Sequence, residues 1–236
     1  MILDIRGGLG MQVLELIVGL TKARMKNEII DEIRINTGGN VVSTVKHNYI
    51  SELFTLPIPV TISDGVLKQN AWTPENFELL ADFKYFEPSI GIRLKKDISL
   101  PTENVLFHIR GKDRQVSSVE NYRKLIRYFH LFNDSKNPIS LEIIGDDLDL
   151  IGQCNSDGLC KLVNGSTAAE DWMQCVKALI LISSFSSFTI AASLFNPIQE
   201  VRYLSGDLAT GPHRVEKKYW DCLQILIDKK ETWDWA

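Results

Sequence analysis

From residue 101 onward, short apolar runs alternate with segments whose apolar residues recur at helical spacing, and that alternation confines the chain to a narrow set of folds. Val105–Ile109, Ser140–Ile144, Leu159–Val163, Leu179–Ile182 and Gln199–Leu204 read as strands. Val119–Phe132, a short stretch near Leu148, Ala168–Val176 and Ser187–Leu194 read as the helices between them. Strands linked through helices pair in parallel, and the crossovers are right-handed. The amino-terminal part opens the same way: Ile2–Ile5 as a strand, a glycine turn, then Val13, Leu16, Ile17, Leu20 and Ala23 at helical spacing. Glu32–Asn36, His47–Phe54 and Val60–Ile62 read as strand, helix and strand, whereas from Asp64 to Leu100 the pattern weakens and Pro74 and Pro88 punctuate it. The expectation is an α/β protein of two lobes, residues 1–98 and 99–236, whose parallel sheets face a cleft. A last helix, Glu216–Lys230, packs back across the chain in this reading.

Composition narrows the function. With 236 residues, 44% hydrophobic and 24% charged, the chain is globular and long enough for two small domains. A net charge of -4 opposes a general nucleic-acid binder, which needs a basic face to neutralise phosphates. The amino terminus enters Ile2-Leu3-Asp4-Ile5-Arg6 directly, and the longest apolar stretch, around Ala178–Ile182, is too short to span a bilayer. The expectation is a cytoplasmic protein with no membrane span. Cys154, Cys160, Cys175 and Cys222 form no C-x-x-C pair and have no histidine nearby, which argues against structural zinc and a disulfide framework. Cys154 and Cys160 are close enough in sequence to meet across a loop, with reduced thiols the simpler reading.

Candidate chemistry collects where the strands end, because parallel strands of an α/β domain deliver ligand-binding groups at their carboxyl ends. Val105–Ile109 leads into His108, Arg110 and Asp113; His108 and Arg110 share one side of the strand end, and Asp113 falls in the following loop. A guanidinium fork suits phosphate as well as carboxylate, so Arg110 reads as an anion ligand or as half of a structural Arg–Asp pair. Gly7-Gly8-Leu9-Gly10-Met11-Gln12 reads as a turn whose amides approach an anion, or as a tight turn without ligand; it is neither G-x-G-x-x-G nor a Walker loop. Asp146-Asp147, with Asp149 behind them, read as paired carboxylates or as helix caps, and no metal is expected where an arginine already supplies positive charge. Ser183-Ser184-Phe185-Ser186-Ser187-Phe188 opens a helix after a strand, either as a second anion site or as a plain serine cap.

Taken in order, these stations resemble the motifs of the GT-B fucosyltransferase superfamily, which includes α-1,2-, α-1,6- and protein O-fucosyltransferases. The amino-terminal G-x-x-G-N-Q is matched by Gly7, Gly10 and Gln12, and H-x-R with an acidic turn by His108, Arg110 and Asp113. The D-D pair after a strand is matched by Asp146 and Asp147, and the last motif by Asp171 with Ser184, Phe185, Ser186 and Ser187. The resemblance implies a GT-B-like fold of two Rossmann-like lobes. It further implies metal-independent, inverting transfer from GDP-fucose or a related GDP-sugar to a glycan or other hydroxyl acceptor, with no cofactor. In that role Arg110 holds the β-phosphate and stabilises the charge that develops as the sugar leaves. Asp171 accepts from the guanine edge, Ser184, Ser186 and Ser187 grip phosphate, and His108 borders the nucleotide. Gly8, Gly10 and Gln12 close the cleft from the other lobe, and Asp113, Asp146 and Asp147 orient Arg110 and its loops. Met11 replaces the motif asparagine, Ile190 and Ala191 stand where the α-1,2 group has a tryptophan pair, and the chain is short for the superfamily. Glu15 is the one candidate general base. The alternatives are a catalytically silent nucleotide-sugar-binding protein of the same fold and, more distantly, a Rossmann-like enzyme of other chemistry such as an oxidoreductase.

Overall fold

In a computed structural model of the chain, the described residues are 1–38, 47–66, 73–83, 92–95, 102–110, 118–133, 138–183, 186–196, 199–204 and 221–226. They fall into two compact units, Met1–Asp97 with Glu216–Ala236, and Ile98–Val215. The first unit runs β1 (Ile2–Arg6), α1 (Leu9–Met25), β2 (Glu32–Gly38), α2 (Tyr49–Leu53), β3 (Phe54–Thr55), β4 (Val60–Val66), α3 (Pro74–Ala81) and β5 (Arg93–Leu94). Its main sheet is parallel in the order β1-β2-β4, with β3 and β5 paired antiparallel apart from it. Alternation in β1 sends Leu3 and Ile5 into the core and leaves Asp4 and Arg6 half-buried on the other face. Val13, Leu14, Leu16 and Ile17 of α1 are fully buried. Gly19 lets that helix close on β1, since a Cβ there would lie 2.3 Å from Leu3 Cδ1.

Two features of this unit depart from the sequence reading. Pro74 does not break structure but begins α3, where its missing N–H costs nothing and Thr73 caps the helix by accepting from Asn76 N. The terminal segment, expected within the second lobe, groups with the first unit. Residues 221–226 are helical, with Cys222, Leu223 and Leu226 buried, and Cys222 lies near enough to Glu75 of α3 for that carboxylate to help raise its thiol pKa, after burial.

The second unit runs β6 (Thr102–Ile109), α4 (Val119–Leu131), β7 (Ser140–Gly145), α5 (Leu148–Cys154), β8 (Lys161–Leu162), α6 (Ala168–Lys177), β9 (Ala178–Ser183), α7 (Ser187–Ser193) and β10 (Glu200–Tyr203). All five strands are parallel, in the order β10-β9-β6-β7-β8. The first strand of the unit is therefore central; the chain builds outward through β7 and β8, then crosses back to add β9 and β10. That reversal makes a topological switch point between β6 and β9, where open α/β sheets bind ligands. Val105, Leu106, Phe107 and Ile109 are fully buried, as a strand covered on both faces requires. Each such side chain contributes roughly 1.5–3 kcal/mol of burial. Tyr122 and Ile126 of α4 pack on one face with Ile143, Ile151 and Cys154.

Helix α6 passes into β9 without a loop, which would strand its last carbonyls. Asn196 Nδ2 donates to Val176 O at 2.8 Å, and Gln199 Nε2 donates to Cys175 O at 2.6 Å and Ala178 O at 2.7 Å, meeting that need. The four cysteines are free and buried. Among the described residues no helix is long and apolar enough to cross a membrane.

Candidate functional site

Parallel pairing brings four of the sequence stations to one edge of the five-stranded sheet. Arg110 follows β6, Ser186 follows β9, Asp146 follows β7, and the loop that meets Asp171 follows β8. Neighbouring strands lie about 4.8 Å apart, so the row from the β9 end to the β8 end crosses three gaps, roughly 14 Å.

At the switch point Arg110 Nη1 donates to Ser186 Oγ at 3.0 Å, joining residues 76 apart in sequence. Ser186 is the N-cap of α7 and also accepts from Phe188 N at 3.3 Å. Both acceptor positions of this buried hydroxyl are thus engaged, and its own proton has no acceptor among the described residues. A cation and an unspent O–H donor side by side form an anion-seeking pair. Ser187, the first residue of α7, is half-buried beside them.

His108 is almost fully buried one turn of the strand away. Burial first, then the Arg110 charge, lowers its pKa to about 4, with Asp146 opposing, so the ring is neutral at physiological pH. Its ring stacks on Phe188 at 5.4 Å and 19°, and Tyr122 Oη donates to its backbone carbonyl at 3.0 Å. β7 ends in Gly145, opposite Ile109 and so beside the residue that precedes Arg110: a Cβ at Gly145 would lie 2.2 Å from Ile109 O. Asn164 fixes that glycine from both sides, accepting from its N–H at 3.1 Å and donating to its carbonyl at 2.7 Å.

The acidic stations divide. Asp146 is exposed and close enough to act electrostatically on His108. Asp147 caps α5, its Oδ1 accepting from Leu150 N at 3.0 Å. Asp171 accepts from Gly165 N in the loop before α6, and Thr167 caps the helix beside it, so the carboxylate is held in place; burial raises its pKa. Asp113 and Ser184 lie outside the described residues.

The amino-terminal motif lies in the first unit. Gly7, with φ of 85° and only 2.9 Å between an added Cβ and Met11 Cβ, is the position that needs glycine. Gly8 caps α1 with open space around its α-carbon, and Gly10 is buried within the helix. Gln12 is fully buried and donates from Nε2 to Gly7 O and His47 O, both at 2.9 Å. The motif therefore staples its own turn. Glu15, one turn further, accepts Arg6 N–H at 2.7 Å, with its other oxygen 3.7 Å from Arg6 Nε. Burial outweighs that amide and the Arg6 charge, and pushes the carboxyl up to about 7.

The sequence reading gave no role to Gly145, Asn164, Thr189 and Tyr122, and took Ser183 only as part of the serine run. A glycine ending a strand just before an acidic pair was the one visible signal; the others are ordinary residues until the sheet order is known.

No protein-family model and no curated protein matches the chain. Solved structures do match. A NodZ α-1,6-fucosyltransferase soaked with GDP-fucose superposes with a TM-score of 0.51 at 15% identity, over 90% of this chain and 96% of that one. NodZ from Bradyrhizobium gives 0.50 at 13%, over 83% and 93%. A glycosyl transferase family 9 protein from Veillonella parvula DSM 2008 gives 0.50 at 11%, over 98% and 96%. The chain thus has the α/β fold with parallel sheets found in these glycosyltransferases, as the motifs implied.

Proposed function

We propose that the chain is a glycosyltransferase that takes its sugar from a nucleoside diphosphate sugar, GDP-fucose or a related GDP-sugar, and passes it to a hydroxyl acceptor such as a glycan. The observation that carries this reading is the Arg110–Ser186 pair at the strand-order reversal, a cation beside an O–H donor that has no acceptor among the described residues, at the place where α/β sheets hold phosphate. A span of roughly 14 Å from that pair to the Asp171 loop suits an extended nucleotide, with diphosphate at the β6 and β9 ends and base toward β8. One of the matched NodZ structures was soaked with GDP-fucose and another was co-crystallised with GDP, which favours guanosine as the base.

In this mechanism Arg110 neutralises the β-phosphate as the glycosidic bond to the departing diphosphate breaks, and Ser186, with Ser187 and Ser184, donates to phosphate oxygens. Asp171, acceptor-only when ionised, reads the adjacent N–H donors of guanine. Glu15 takes the acceptor proton, for which a carboxyl held near neutrality is suited. The transfer is inverting and needs no metal, the guanidinium supplying the positive charge. Met11 in place of the motif asparagine favours a second reading, a silent binder of the same nucleotide sugar.

Thermal shift with GDP, UDP and ADP tests the donor: a ligand at a hundred times its Kd adds about 2.7 kcal/mol, and only GDP should do so. A selective response to UDP or ADP, or none to any, would sink the GDP-sugar assignment. Free GDP and transferred or hydrolysed fucose on incubation with GDP-fucose separate the enzyme from the silent binder.

A further inference from the structure

A second group of polar side chains, in the first unit, stands outside the chemistry above. Gln12 bonds to the carbonyls of both Gly7 and His47, so His47 is tied beside the glycine turn that follows β1. From that anchor the His47 ring pairs with Glu52, Nε2 lying 2.7 Å from Oε2, and meets the Tyr49 ring with centroids 4.5 Å apart and planes at 54°. Two aromatic rings thus form an angled corner with a carboxylate at its edge. The His47 side chain is 56% exposed, and Tyr49 is half-buried. Burial, then the Glu52 charge, raises the Tyr49 pKa, so the phenol keeps its proton. The Tyr49 hydroxyl, His47 Nδ1 and Glu52 Oε1 have no hydrogen-bond partner among the described residues. An exposed ion pair adds little to stability, so holding the fold together does not account for this arrangement.

We propose that His47, Tyr49 and Glu52 form a subsite for an uncharged pyranose ring, the sugar of the acceptor in the transfer. A pyranose carries C–H groups on its faces and hydroxyls around its rim, so it lays one face on an aromatic ring while the rim reaches the polar atoms beside it. Each hydroxyl both gives and takes a hydrogen bond. That suits a set made of a phenol, an acceptor-only carboxylate oxygen and an imidazole nitrogen in either protonation state. The Glu52 charge disfavours a phosphate or an acidic sugar here, the reverse of the Arg110 edge. Gln12 and Glu15 lie three residues apart on one face of α1, so the anchor of this corner is one helical turn from the carboxyl that takes the acceptor proton. The acceptor role rests on the nucleotide-sugar reading above; the sugar subsite does not.

Saturation-transfer NMR on the full chain without nucleotide tests the subsite, with the methyl β-glycosides of glucose, galactose, mannose and N-acetylglucosamine added one at a time. At least one should take up saturation, most strongly at the C–H groups of one ring face. His47→Ala should lose most of that signal while the protein stays folded, since the ring it removes is exposed. Tyr49→Phe keeps the ring and removes only the hydroxyl, so the same C–H groups should still respond while affinity falls about two- to tenfold. No transfer to any of the four glycosides, or an unchanged signal in His47→Ala, overturns the subsite. The methyl glycoside of glucuronic acid should stay silent, and a signal from it as strong as the best neutral one overturns the choice of an uncharged ring. Thermal shift with GDP decides the other reading separately. A chain that responds to GDP but to no glycoside keeps the nucleotide reading and loses this one; a chain that binds a glycoside through His47 but not GDP keeps the sugar subsite and loses the nucleotide reading.

Discussion

At the carboxyl edge of the five-stranded sheet, Arg110 and Ser186 hold each other and the Ser186 proton has no acceptor among the described residues, whereas at the same edge of the three-stranded sheet the polar groups bond to nearby backbone. Gln12 ties Gly7 to His47, and Glu15 takes the amide of Arg6. Both edges begin from the same local recipe, an apolar strand followed by a polar turn. What separates them is strand order: only the second sheet reverses direction beside its first strand, which parts the two following loops at the place where open α/β sheets bind ligands.

The largest test of that contrast is Arg110→Ala. Loss of one preorganised electrostatic donor should lower the rate of fucose transfer from GDP-fucose by roughly two to three powers of ten. Transfer at the wild-type rate would refute the assignment of the chemistry to this edge.

That arginine was legible because a buried central strand is a continuous apolar run, and the polar residues where it stops stand out. The contact of Ser183 with His108 and Thr189 was not legible: β9 and α7 meet β6 only after a crossover, and serine and threonine near a strand end are common. In the amino-terminal motif three glycines look alike in sequence, and only the backbone shows that Gly7 is the one whose φ calls for glycine. Pro74 misled for a simple reason, that proline both ends and begins helices and only the preceding Thr73 cap tells which.

The two buried ionisable groups set the units apart again, with opposite signs. His108 has its folded pKa depressed from 6.5 to about 4, so its contribution is complete above 6.5 and is lost as pH falls toward 4. Glu15 has its folded pKa raised from 4.5 to about 7, so its contribution is complete below 4.5 and is lost as pH rises through 7. Each gap corresponds to about 3 kcal/mol. Between pH 4.5 and 6.5 the two trends offset one another in the intact chain. Glu15→Gln removes the falling one, so urea denaturation of that variant should show stability climbing with pH by about 2 kcal/mol across this window. A flat profile in the variant would place the His108 ring in a far wetter setting than its burial indicates.

A pair of glycines gives the smallest and most local comparison. Gly145→Ala forces a methyl to within 2.2 Å of the Ile109 carbonyl, against backbone that cannot rotate away as a side-chain end can. Overpacking of that kind costs about 1–3 kcal/mol, and the shift falls on the residue before Arg110, so GDP affinity should drop along with thermal stability. Gly8→Ala meets nothing within 4 Å and keeps an ordinary φ of -70°, although the resemblance had marked it for the site. Its cost should be about 0.5–1 kcal/mol, the difference between glycine and alanine at an N-cap, with no loss of GDP affinity. If calorimetry with GDP instead finds Gly8→Ala the more damaging of the two, the amino-terminal turn contacts ligand and the division between the two edges drawn here is wrong.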